Sequence, residues 1–249
     1  FVPVGALTAG PDEEPDQQEG YEIAIELPDD DPDYLQGSKL FGPNVWPTEL
    51  PEFQVDVYTY FESVFQLGCK LFSAFALALN LPDDYFANEI TKPIAQLRLL
   101  YYPPNQKEKL APQMGIGAHT DYECFTILWQ TEPGLQVQNR KNEWIEATPI
   151  DGTFLVNIGD MMMRWTNNLF RSTPHRVVTR TLKERYSFPF FFATNYETVV
   201  SCLETCTNKH YPPMYPPTKF GYWVENMHAY SYVYRHDERG KLPNPELES

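Results

Sequence analysis

From residue 93 onward the chain breaks into short apolar runs, each about long enough for one strand. The runs 94–102, 116–119, 125–129, 135–138, 144–147, 154–158, 176–179 and 186–194 are rich in aromatic, β-branched and Leu residues. Gly, Pro, Asn or Asp separates most of them. Strands of this length and spacing predict a sandwich or barrel. At 249 residues the chain holds one such unit, because β-barrels of this size are commonly single domains.

What precedes the strands is different. Across 55–79, Tyr58, Phe61, Phe65, Leu71, Phe72, Phe75 and Leu79 recur at helical spacing, so a long helix is expected with this stripe in the core. Gly68, beside Cys69, leaves room for a neighbour to approach that face. Pro82 ends the helix, and 82–86 reads as the cap and first turn of a shorter one. Residues 1–51 are rich in Pro, Gly and acid and are expected to wrap a core as loops, with one short strand at 21–26. After 200 comes a loop over 202–217 and then a closing helix at 218–234. Helices first and strands later argue for helices on one side of a β-core. The expected organisation is 1–93 as loops and supporting helices, 94–200 as the catalytic core and 201–249 as a closing loop and helix, all in one structural domain.

Charge narrows the partners. A net −15 with pI near 4.7 disfavours nucleic acid and anionic membrane surfaces. The acidic runs at 12–16 and 29–33 are expected to be solvated loops. No uninterrupted apolar run approaches the roughly 20 residues of a membrane span. The chain opens FVPVG with no basic-then-apolar leader; its start is expected to be missing, and a cytosolic location is expected. Cys69, Cys124, Cys202 and Cys206 lack metal-finger spacing and are expected to be reduced thiols.

Three side chains carry the chemistry. His119 and Asp121 are two apart, and His175 follows in Ser-Thr-Pro-His-Arg-Val. On a strand, residues i and i+2 share a face, so His119 and Asp121 are expected to point into one interior. The spacing to His175 lets intervening strands return the chain to the same end of a barrel. Two imidazoles and one carboxylate with open positions opposite are the ligand set of a non-haem Fe(II) oxygenase. Arg185 and Ser187, again two apart, offer a planar fork and a hydroxyl for a carboxylate. Arg98 shares parity with Leu100 and Tyr102; inside a barrel it needs a partner, either a substrate carboxylate or carbonyl or an acidic neighbour. Leu128, Phe191 and Val177 are candidate apolar walls, and Met163 a candidate substrate contact. His228 or Tyr232 is placed near substrate if the closing helix covers the barrel mouth, where Asn195 and Tyr196 are also expected.

These motifs resemble the isopenicillin N synthase-like branch of the Fe(II)/2-oxoglutarate-dependent oxygenases. The likeness runs from GYEIAIELPDDDP through KLFGPNVWP and QLRLLYYPP to FPFFFATNYE and PPTKFGYWVENM. It implies a mainly β protein with supporting helices, a double-stranded β-helix or jelly-roll barrel, and members normally carry a further N-terminal portion. It implies that His119, Asp121 and His175 bind Fe(II), and that Arg185 and Ser187 hold the distal carboxylate of 2-oxoglutarate. Tyr102 would hydrogen-bond the co-substrate, although Leu100 stands where the family commonly has Asn. Gly159-Asp160 through Trp165-Thr166-Asn167 resembles a family turn that positions the second His. The implied reaction consumes O2 and 2-oxoglutarate, yields succinate and CO2, and hydroxylates or otherwise oxidises a C–H bond of a small molecule. The flavour is similar to microbial or fungal thymine hydroxylases and natural-product oxidases.

Other chemistries use the same residues. An oxidase of the isopenicillin N synthase type keeps the three ligands without a keto acid and turns the Arg-x-Ser pair to the substrate. A zinc hydrolase would need a nearby base, for which Glu123 is the candidate. A silent barrel acting as a binding protein has no use for an interior Asp between two His.

Overall fold

Phe125, Ile127, Phe190 and Phe192 form an apolar floor on one face of a sheet, and a long helix lies across it. In the computed structural model, residues 1–3, 18–104, 113–179 and 183–246 are described. In chain order the elements are β1 (Glu19–Ala24), α1 (Pro32–Leu35), α2 (Pro51–Ala78), β2 (Pro93–Tyr102), β3 (Gln113–His119), β4 (Phe125–Gln130), β5 (Leu135–Gln138) and β6 (Trp144–Glu146). They continue with β7 (Leu155–Ile158), α3 (Asp160–Trp165), β8 (His175–Thr179), β9 (Arg185–Asn195), β10 (Val199–Val200), β11 (Thr218–Lys219) and α4 (Phe220–Ser231).

Five strands form one antiparallel sheet in the order β1-β2-β9-β4-β7, and four form a second in the order β3-β8-β5-β6. Leu100, Tyr102 and Leu128 from the first pack with Leu135 and Val177 from the second. The two sheets therefore face each other across a shared interior, the jelly-roll arrangement. Strand alternation divides the first sheet's labour. On β9, Phe190 and Phe192 face the helix, while Arg185, Ser187, Pro189 and Phe191 face the interior.

Helix α2 begins with Pro51, whose fixed φ suits a first helical position. It ends before Asn80, which takes a left-handed φ of 58°. Its buried residues Phe61, Val64, Gly68, Phe72 and Ala76 repeat every three or four positions. Ring pairs such as Phe72–Phe125 at 4.9 Å and Phe61–Phe190 at 5.1 Å join it to the sheet. Each large apolar side chain so buried contributes about 1.5–3 kcal/mol. At Gly68 a Cβ would stand 2.1 Å from the Phe192 ring, so this is where the ring and helix backbone meet. By length and composition alone α2 would also be long and apolar enough to cross a membrane. The expectation from uninterrupted runs missed this because its apolar positions are spread among polar ones; here the stripe packs on the sheet.

The N-terminal portion is less loop-like than expected. β1 lies two residues earlier than predicted and forms the edge of the main sheet, pairing Glu22 with Arg98 and Gly20 with Leu100. The acidic run at 29–33 is not merely solvated: Asp31 caps α1, and Asp31 and Asp33 both pair with Lys92, at 2.9 and 2.6 Å. The run at 12–16 lies outside the described residues. The expected helix at 82–86 is a turn leading into a 3-10 turn at Ala87–Ile90, and the closing helix is α4, preceded by the short β11. All four cysteines are free.

Candidate metal centre

His119 closes β3, His175 opens β8, and the two residues pair across the ladder between these strands. Asp121 is not on a strand. It sits just beyond β3 in the connection to β4, so strand parity is not what turns it inward. That backbone is held by the start of α3: Asp160 N donates to Asp121 O at 2.8 Å, Met161 N to Glu123 O at 3.1 Å and Gly159 N to Cys124 O at 3.0 Å. A Cβ at Gly159 would lie 2.2 Å from Glu123 O, so this approach requires glycine. The Gly-Asp turn thus secures the segment carrying Asp121, and the Asp160 carboxylate also acts on His175, the second His.

One ligand atom from each of His119, Asp121 and His175 lies within 4.8 Å of the others. His119 Nδ1 sits 2.8 Å from Gly117 O, and His175 Nδ1 sits 3.0 Å from Thr173 O. A carbonyl only accepts, so each Nδ1 carries the proton and each Nε2 turns a lone pair inward. Both Nε2 atoms approach the same oxygen, Asp121 Oδ1, at 3.8 and 3.4 Å. The other oxygen, Oδ2, accepts from Thr126 Oγ1 and from Asn157 Nδ2 at 2.7 Å. One carboxylate oxygen is thereby committed to the protein and the other left for a cation.

The charges agree. Burial and the neighbouring His175 push His119 down to about 4. Burial works against a charge on His175 and on Asp121 alike, but their mutual attraction outweighs it, raising the imidazole and holding the carboxyl well below its usual range. Two nitrogens and one carboxylate oxygen form a three-donor set that suits Fe(II) and leaves coordination positions open.

These residues line a cavity of 130 Å³ between the sheets, together with Leu100, Tyr102, Ile116, Leu128, Val177 and Arg185. Arg185 is only 2% exposed. Its Nε donates to Glu132 O at 3.1 Å and its Nη2 to Gln130 Oε1 at 2.8 Å, and its guanidinium lies 4.7 Å from the Tyr102 ring centroid. Nη1 is buried and has no hydrogen-bond partner among the described residues, nor does any carboxylate there pair with Arg185. A buried cation so placed calls for an anion, and a carboxylate fits the geometry. Ser187 stands beside it on the same face of β9, opposite Leu100.

Among the other sequence candidates, Arg98, Leu128, Val177 and Phe191 line the cavity. Arg98 already has an acidic neighbour, Glu22, at 2.7 Å, and donates to Tyr232 Oη at 2.5 Å. Met163 is not among the lining residues; the short α3 that carries it packs beside the Asp121 turn and buries Met161 and Met162 in the core. Glu123 is buried but faces a neighbouring cavity with His228 and Tyr232. It is therefore not placed as a base at this one. Asn195 is engaged with Asn88 O and Thr91 Oγ1, and neither it nor Tyr196 reaches the cavity. From α4 it is Ser231 that lines the site, hydrogen-bonded to Tyr122. Gln18, Gln130, Thr126, Asn157 and Ser231 were missed. Asn157 alone left a signal, a polar residue inside the apolar run Leu-Val-Asn-Ile.

Comparison with known proteins agrees with this arrangement. Residues 93–194 match the family described as the 2OG-Fe(II) oxygenase superfamily. The chain is 37% identical over 226 residues to the 2-oxoglutarate-Fe(II) type oxidoreductase hxnY of Emericella nidulans, covering 88% of this chain and 64% of that one. It thus spans just under two thirds of the length of that relative. A crystal structure of a 2OG-Fe(II) oxygenase family protein from Caulobacter crescentus superposes with TM-score 0.78 at 32% identity, covering 91% of this chain and 73% of the other. A full-length Neurospora crassa protein crystallised in complex with alpha-KG superposes with TM-score 0.76 at 31% identity, covering 86% and 66%. By sequence, fold and family match, this chain belongs to the 2OG-Fe(II) oxygenase superfamily.

Proposed function

We propose that this protein is an Fe(II)- and 2-oxoglutarate-dependent dioxygenase that oxidises a C–H bond of a small molecule. The observation that carries the reading is the pairing of two features in one cavity: a three-donor cluster with its lone pairs converging, and Arg185 with an uncommitted buried nitrogen. In this reading His119 Nε2, His175 Nε2 and Asp121 Oδ1 hold the iron, while Arg185 and Ser187 take the distal carboxylate of 2-oxoglutarate. Tyr102 orients the guanidinium through its ring. Bound iron and keto acid supply the oxidising chemistry; the chain supplies orientation and a dry setting. Leu100, Leu128, Ile116 and Val177 line the same cavity as Arg185 and the ligands and give it apolar walls.

Use of the keto acid, rather than keto-acid-independent oxidation, is supported by the likeness to the Neurospora crassa protein, whose crystals hold alpha-KG. The fungal relative hxnY supports a place in fungal small-molecule or secondary metabolism. The four free thiols support a reducing, cytosolic setting.

The test is an anaerobic titration of Fe(II)-loaded protein with 2-oxoglutarate, followed by the visible metal-to-ligand charge-transfer band. A band with the wild type that weakens in Arg185→Ala is expected. Bound iron with no band overturns the keto-acid reading, and failure to bind iron overturns the metal site.

A further inference from the structure

The cavity holds two buried arginines, and they differ in one respect. Arg185 has no carboxylate partner among the described residues, whereas Arg98 is matched by Glu22 at 2.7 Å. The pairing is built into the sheet, because Glu22 on β1 stands directly opposite Arg98 on β2. Both side chains are more than four-fifths buried. Glu22 is also held from two further sides, by Tyr232 Oη at 3.2 Å and Gln96 Nε2 at 3.2 Å. The guanidinium lies 5.2 Å from the Phe191 ring centroid, and Phe191 lines the same cavity as the metal ligands.

This arrangement has a chemical consequence. A lone buried arginine attracts a carboxylate, but one already matched by a fixed carboxylate does not need a second anion, which would meet Glu22's charge at close range. Arg98 nevertheless keeps donors. Its Nη2 donates to Tyr232 Oη, its Nε stands 2.7 Å from Glu22 Oε1 as an ion pair without hydrogen-bond geometry, and Nη1 has no protein partner among the described residues. A guanidinium of balanced charge with a free N–H suits an uncharged acceptor. Tyr122 and Ser231, hydrogen-bonded to each other, add neutral hydroxyls to the same cavity.

We propose that Glu22 is a specificity-determining residue: by balancing Arg98 it makes this part of the cavity a site for an uncharged, carbonyl-bearing substrate, such as an amide or lactam, and excludes carboxylic acids. The assignment rests on the oxygenase reading above, with Arg185 reserved for the keto acid. Glu22 acts through Arg98 and is a positioning residue.

The test uses two probes of nearly equal shape, benzamide and benzoate, titrated calorimetrically into anaerobic protein loaded with Fe(II) and 2-oxoglutarate. Wild type is expected to bind benzamide at least about tenfold more tightly than benzoate, the worth of one hydrogen bond set against an unfavourable charge. Glu22→Gln keeps the shape and removes the charge, so the ratio is expected to move about 10- to 100-fold toward benzoate. Glu22→Asp is expected to retain the wild-type preference. A purely structural role for the pair would weaken both probes together and leave their ratio unmoved. Equal or tighter benzoate binding by wild type overturns the proposal, as does an unchanged ratio in Glu22→Gln. So does failure of both probes to bind while 2-oxoglutarate still binds. Failure of 2-oxoglutarate itself to bind wild type would count against the oxygenase reading instead, so the two failures are separable.

Discussion

Thr126 and Asn157 stand opposite each other across β4 and β7, and both donate to the same oxygen of Asp121. Sheet register thus reaches the metal centre through two polar side chains that contact no ligand position themselves. They decide which carboxylate oxygen remains available, and they keep that carboxylate from rotating.

Removing either donor should loosen the centre without abolishing it. Asn157→Leu and Thr126→Val are each expected to weaken Fe(II) binding about 10- to 100-fold, the usual range for a partner that orients a metal ligand. Anaerobic Fe(II) titration checks this. Affinity within twofold of wild type would show that Asp121 needs no such support.

Arg185 should not tolerate lysine. A lysine ammonium keeps the charge but loses the planar fork held by Glu132 O and Gln130 Oε1. Arg185→Lys is expected to weaken 2-oxoglutarate binding about 10- to 100-fold while Fe(II) affinity stays unchanged. Calorimetric titration of each ligand separates the two effects.

Stability should be sensitive where α2 crosses the sheet. Phe72→Ala opens a hole among Phe86, Phe125 and Phe192 and is expected to cost about 3–5 kcal/mol. Gly68→Ala forces the Phe192 ring aside and is expected to cost about 1–3 kcal/mol. Urea unfolding followed by circular dichroism measures both.

Acid should destabilise the metal-free protein through His228. Burial, with Arg98 and Arg235 nearby, pushes this imidazole down to about 3. Unfolded, it takes a proton near 6.5. Between those values the unfolded chain binds the extra proton, so the contribution is complete above 6.5 and is lost as pH falls toward 3, by about 1.4 kcal/mol per unit. In His228→Phe the slope of unfolding free energy against pH, from pH 6 to 4, is expected to be shallower by about that amount. Parallel slopes in the two proteins would refute it.

The sequence was most legible where one strand makes its own pattern. The expected run at 135–138 coincides with β5, and those at 94–102 and 186–194 fall within one residue of β2 and β9 at either end. It was least legible where an element exists only through its partner. β10 and β11 have two residues each and are defined by pairing Val199 with Lys219 and Val200 with Thr218; no local period announces them. α3 is too short for helical periodicity, so its role in holding Asp121 was hidden and Met163 stood only as a candidate substrate contact. The three metal-ligand candidates could be named because their residue types are uncommon together. Thr126, Asn157 and Gln130 could not, because a hydroxyl or an amide gains meaning only from what register sets beside it.

Strand β9 shows what alternation makes possible for change over time. Its even positions, Phe190 and Phe192, bind the sheet to α2, and its odd positions, from Arg185 to Phe191, form the cavity wall. A substitution at an odd position alters what the cavity accepts while leaving the helix interface in place. One at an even position alters firmness while leaving the chemistry alone. Reactivity and robustness can therefore drift independently along a single strand, one residue apart.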